Sequence, residues 1–220
     1  MFFILLKKEL FIEFRTREVI LSMLIFGLSI ILAFAFTTNV SKAIVANYAP
    51  GMFWIMILFV SALGVHRSFS YEKNFDAFSM IISAPIDRGI IYLSKWISGA
   101  IFLTIMELII IVPFFKFLLL DLPPDLILFI STMILINLAI MSVAILISGI
   151  VMRANLSEVL VPILFFPLVS PVIIAATKIS SGILAGDPYQ LWQFWLLIIA
   201  SIIVIFVLAG YTLFDFITEE

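Results

Sequence analysis

Long apolar runs separated by short polar breaks organise this chain. Such runs cover about residues 19–38, 48–65, 89–120, 126–151, 159–177 and 191–213. A helix needs roughly 20 apolar residues to cross a bilayer core, and each run is near that length. The runs are continuous rather than alternating, so they do not read as strands of a membrane barrel. The pattern predicts an all-α membrane protein with six transmembrane helices.

The breaks predict where each helix stops. Thr37-Thr38-Asn39 ends the first span, and a polar link with Lys42 follows. The second span begins near Tyr48-Ala49-Pro50-Gly51, with Pro50 at a helix start, where its missing N–H costs nothing. Asp121-Leu122-Pro123-Pro124-Asp125 is a tight turn, and 153–158 is a short polar loop. A link from Lys178 to Gln190 follows span five. Gly182 and Gly186 match GxxxG but fall in that link, so the match is given no weight. Trp192 and Trp195 open span six, as in an interfacial aromatic belt.

Two segments carry helical periodicity outside the spans. Residues 2–18 place Phe3, Leu6, Leu10 and Phe14 at helical spacing among Lys7, Lys8, Glu13, Arg15 and Arg17. This predicts an amphipathic helix in the membrane interface, its cations near anionic headgroups. Phe2 to Leu6 is too short for the apolar region of a secretory leader, charges follow it rather than precede it, and the segment reads as part of the mature protein. Residues 66–95 hold the longest charged stretch, with Arg67, Glu72, Lys73, Asp76, Asp87, Arg88 and Lys95. Tyr71, Phe75, Phe78 and Ile82 form an apolar stripe along it, and residues 84–89, with Pro85, make a turn. An amphipathic helix between two spans can press its apolar side on a partner, as a coupling helix does in an ATP-driven transporter. Glu72 and Asp76 would disfavour an anionic lipid surface, which favours a protein partner over headgroups. The whole chain then forms a single permease domain.

Charge fixes the expected orientation. With six spans, both termini, the 66–95 segment and the 153–158 loop share one side, which holds nine of the twelve basic residues. Lys42, Lys116 and Lys178 fall opposite. The bias puts both termini in the cytoplasm.

Composition confirms the solvent and narrows the chemistry. Hydrophobic residues make up 65% and charged residues 12%, about half the charge of a typical soluble domain. With no cysteine there are no disulfides, thiolate metal sites or cysteine nucleophiles. His66 is the single histidine and stands at the mouth of span two, which suits neither an intramembrane protease nor a paired metal site. No GxxxxGK[ST] sequence is present, so no nucleotide is held by a P-loop. No catalytic, metal or cofactor site is expected in this chain, nor a nucleic-acid partner.

Two features inside the spans attract attention. Glu107 interrupts span three about twelve residues beyond Lys95, about 18 Å along a helix. Such an acid must face protein or water or be protonated. It either lines a path or partner contact, or serves a structural bond within the protein. Pro162, Pro167 and Pro171 in span five free backbone carbonyls and bend the helix, as a gate or as a fit to neighbours.

The order of motifs resembles one family. Ala49-Pro50-Gly51-Met52-Phe53-Trp54, Arg67-Ser68-Phe69, the acidic stretch Glu72 to Phe78, and the turn into Tyr92-Leu93-Ser94-Lys95 are similar to the CcmB permeases of cytochrome c maturation. The proline-rich fifth span and the Arg15-Thr16-Arg17-Glu18 segment fit as well. The likeness implies an inner-membrane permease of the ABC exporter type. ATP would be bound by a CcmA-like ATPase, and haem would be handled by CcmC-like and CcmD-like subunits. The output would be haem delivery, or release of a haem-loaded periplasmic chaperone, CcmE-like. In that picture Arg67, Glu72, Phe75, Asp76, Phe78, Pro85, Asp87 and Arg88 form the ATPase-coupling interface. Competing readings are an ABC permease for a lipid, drug or polysaccharide, an ion-driven secondary transporter, and an assembly factor that moves nothing. An ion-driven transporter would carry several intramembrane ionisable residues and inverted repeats, whereas this chain has one such acid.

Overall fold

The computed structural model describes residues 1–15, 17–37, 41–74, 87–151 and 157–219, with side chains outside 66–74, 157–159 and 215–219. Among the described residues there are seven α-helices, one short 3-10 turn and no strand. The helices are α1 (Phe2–Arg15), α2 (Arg17–Thr37), α3 (Lys42–Asn74), α4 (Arg88–Phe117), α5 (Leu126–Val151), α6 (Ser157–Ala185) and α7 (Gln193–Glu219). Six of them, α2 to α7, are long and apolar enough to cross a membrane.

α5 is the central helix, with α4, α6 and α7 packed around it. α3 lies against α6 and α2, and α2 also touches α4. α2 and α7 bury the smallest part of their spans, so most of their apolar surface is left for lipid or a partner helix. Lipid is as apolar as leucine, so the helices are held by close packing and polar contacts. Small residues allow the close approach: a Cβ at Gly99 would sit 3.2 Å from Met141 Sδ, and one at Gly64 2.8 Å from Met23 Sδ. Aromatic edges fill the gaps, as where Phe53 and Phe114 meet at 5.0 Å between α3 and α4.

Polar residues set the helix ends. Asp87 precedes α4, and its Oδ1 accepts from Gly89 N–H at 2.8 Å. Asp125 does the same for α5 through Leu128 N–H at 2.9 Å. α6 stops at Gly186, whose φ of +71° suits glycine, and the Asp187 N–H returns to the Gly182 carbonyl at 2.9 Å.

Several boundaries differ from expectation. Pro50 stands inside α3 rather than at its start, because residues 42–49 continue the helix upstream. α6 runs on through the expected link to Ala185, so Gly182 is helical and packs against Trp192. Trp192 is buried and donates to the Asp187 carbonyl at 3.2 Å instead of sitting in a lipid belt. The three prolines lie inside α6 as expected, and the Pro167 carbonyl that Pro171 leaves unpaired accepts from the Ser170 hydroxyl at 2.8 Å.

Candidate functional site

The bundle end that carries the termini brings together Lys8, Glu9, Asp87 and Lys95. α3 crosses the membrane over Lys42–Val65 and continues unbroken to Asn74, so the first part of the expected coupling segment is helical. Arg67 and Glu72 lie on this extension, but their side chains, like that of His66, are outside those described. Phe75, Asp76, Phe78 and Pro85 lie outside the described residues. Arg88 begins α4, in line with the expected start of span three near residue 89, and Lys95, the last charged residue of the 66–95 segment, lies within that span.

At the other end of that segment, Asp87 is held from two sides. Its Oδ1 caps α4 and its Oδ2 accepts from the Tyr211 hydroxyl of α7 at 3.2 Å. Arg88 is half-buried at the first position of α4. One and two turns further, two side chains turn inward. The Tyr92 hydroxyl reaches the carbonyls of Ser142 (2.9 Å) and Phe206 (3.1 Å), bridging α4 to α5 and α7. Lys95 points the other way, toward α1.

Glu9 of α1 meets Lys95 there. Lys95 Nζ donates to Glu9 Oε2 at 3.1 Å, and Lys8 Nζ donates to Oε1 at 2.9 Å. Both Glu9 and Lys95 are 4% exposed. Burial pushes the Glu9 carboxyl up, but the Lys95 and Lys8 ammonium groups outweigh it and hold the carboxyl below its ordinary 4.5. A buried charge is tolerated only when paired, and Glu9 supplies that pairing to Lys95. A small cavity of about 20 Å³ adjoins the pair, lined by Glu13, Gly64, Ser98 and Gly99 among others.

α1 is a helix as predicted; Leu5 and Glu9 are its buried positions, while Phe3, Ile4, Phe11 and Phe14 are exposed. The stripe Phe3/Leu6/Leu10/Phe14 is therefore not the face packed on the protein. α1 presents acids to the bundle and aromatic residues to the surroundings. Phe14 keeps one edge contact, 5.7 Å from Phe102 of α4.

Glu107 lies deeper on α4 and is fully buried. Its Oε2 accepts from Asn137 Nδ2 of α5, and Asn137 Nδ2 also donates to Thr104 Oγ1 at 3.0 Å. Glu107 lines neither the small cavity by Glu9 nor the larger one at the opposite end of the bundle.

Sequence reasoning passed over Glu9, Asn137, Ser180 and Tyr211. Two of them had a visible signal. Lys95 in the apolar run GIIYLSKWISG calls for a counter-charge, and Asn137 is an amide in the middle of span four. Ser180 accepts from the indole N–H of buried Trp54 at 2.8 Å, and through this bond the motif tryptophan joins α3 to α6.

Six apolar helices around a packed core, with polar work confined to the helix ends and a few interhelical bonds, define a multi-pass membrane protein of the permease type. The family model described as CcmB protein matches residues 1–215, and the chain belongs to that family. Membership makes it a membrane transporter subunit of the ABC-associated haem and cytochrome c maturation system. No curated protein matches the chain.

Proposed function

We propose that this chain is the permease subunit of an ABC transporter complex for cytochrome c maturation and that it works mechanically. A CcmA-like partner binds and hydrolyses ATP, CcmC-like and CcmD-like subunits handle haem, and the output is haem delivery or release of a haem-loaded CcmE-like chaperone. The chain spans the inner membrane, with both termini and the segment after span two in the cytoplasm. The excess of basic residues at that end supports this orientation.

One observation carries the mechanical reading. α3 runs without interruption from its membrane span to Asn74, so a push on the extension reaches the span through helix backbone. Arg67, Glu72 and Asp76 make the ATPase contact in this reading, with Phe75 and Phe78 supplying its apolar part and Pro85 its turn. Asp87 and Arg88 start α4, and the two bonds of Asp87 make it a positioning residue. Lys95 then hands the movement of α4 to α1 through Glu9. Glu107 and the prolines of α6 shape the interior that must shift as a unit.

Affinity purification of the full chain from mild detergent tests the assignment. An ATPase and haem-handling membrane subunits are expected to come with it. A chain that purifies alone, from cells that contain those subunits, overturns it.

A further inference from the structure

At the end of the bundle away from the termini, α4, the turn after it and α5 enclose an open apolar cavity of about 630 Å³. Its size falls within the roughly 300–1,000 Å³ of ligand pockets. Phe115 and Phe129 form its buried floor, and Val112, Leu119 and Leu122 are exposed on its walls. Among the described residues, the only charged ones that line it are Lys42 and Lys116. Lys42 is paired with Asp121 at 2.9 Å, whereas no described carboxylate pairs with Lys116. Asp125, the other acid nearby in sequence, caps α5.

The rim of the cavity is built at a cost. Leu119 has φ +54°, a left-handed conformation that a leucine rarely adopts. It is held by the turn in which Leu119 N–H bonds the Lys116 carbonyl at 3.3 Å and Leu120 N–H bonds the Phe115 carbonyl at 3.0 Å. That turn carries Leu119 and Lys116 to the same cavity, one apolar and one cationic. An apolar chamber within a bilayer, with a lysine at its mouth, matches an amphiphile with an acyl chain and an anionic head.

We propose that this cavity is a lipid site, which takes an acyl chain of an anionic phospholipid and holds its phosphate on Lys116, with Lys42 beside it. The lipid fills the gap between α4 and α5 at the end of the bundle opposite the Glu9–Lys95 pair. The site is independent of the ATPase assignment.

The test uses the purified full chain in phosphatidylcholine nanodiscs doped with phosphatidylglycerol, with retained lipids read by native mass spectrometry. Wild type is expected to retain phosphatidylglycerol in preference to phosphatidylcholine. Lys116→Gln, a change at an exposed position, should lower that retention about fivefold, the worth of one lysine beside anionic lipid. Val112→Trp should fill the cavity and lower retention of both lipids. Unchanged phosphatidylglycerol retention in either variant overturns the proposal. Because the chain has no cysteine, Val112→Cys can also carry a single benzophenone label in native membranes. Crosslinking to phospholipid supports the site, and crosslinking to a protein helix instead overturns it.

Discussion

Glu9 of α1 and Lys95 of α4 form an ion pair at 3.1 Å with almost no solvent access, joining the N-terminal helix to the third membrane span. Removing one partner of a buried pair costs about 3–5 kcal/mol, and Glu9 balances the charge of Lys95 and Lys8 together. Glu9→Gln is therefore expected to lower the detergent melting temperature and to loosen α1. Replacing both residues, as in Glu9→Leu with Lys95→Met, should recover most of the loss. Equal melting temperatures for wild type and Glu9→Gln would contradict the pairing.

The same pair has a defined response to pH. Glu9 titrates below 4.5 in the folded chain, so its contribution is fully present above that value. It should decline as pH falls from 4.5 through the lower folded-state value. Protease access to α1, compared between neutral and acid pH, measures this. Glu9→Gln should remove the pH-dependent part, and an acid response that persists in Glu9→Gln would assign it to another carboxylate.

A close approach on α7 should be intolerant of a single methyl group. A Cβ at Gly210 would collide with Cζ of Tyr92, in the ring whose hydroxyl bonds α5 and α7. Gly210→Ala is expected to cost about 1–3 kcal/mol by overpacking. Tyr92→Leu in the same chain should relieve part of it. Additive losses in the double variant, measured by thermal unfolding, would show that the two positions do not meet.

Trp54 should matter more for its N–H than for its bulk. Trp54→Phe keeps a buried aromatic ring but leaves the Ser180 hydroxyl without its donor, a loss of about 1–3 kcal/mol. Adding Ser180→Ala should bring the stability back toward wild type, since both polar partners are then gone. A double variant no more stable than Trp54→Phe would place the cost in packing.

The six spans were legible because hydropathy alone decides which segments enter lipid. Local polarity misled where tertiary packing overrides it. Lys178 suggested a link, yet it is a residue of a helix that stops only at the left-handed Gly186. Trp192 looked like a belt residue because nothing local announces the Gly182 notch that receives it. Glu9 was hidden among lysines, and only the fold brings it 3.1 Å from a lysine 86 positions away. Periodicity found α1 and its outward phenylalanines, but not that Leu5 and Glu9 would be its contacts with the bundle. The Glu107–Asn137 bond needed two helices set in register, which no single-span pattern encodes.

In the mechanical reading, the extension of α3 and the start of α4 receive force from an ATPase. Charge reversal at Glu72 and Asp76, followed by co-purification of the full chain from mild detergent, tests this most directly. Glu72→Lys with Asp76→Lys is expected to insert and fold but to lose the ATPase, while haem-handling subunits remain bound. Recovery of the ATPase at the wild-type level would contradict the reading.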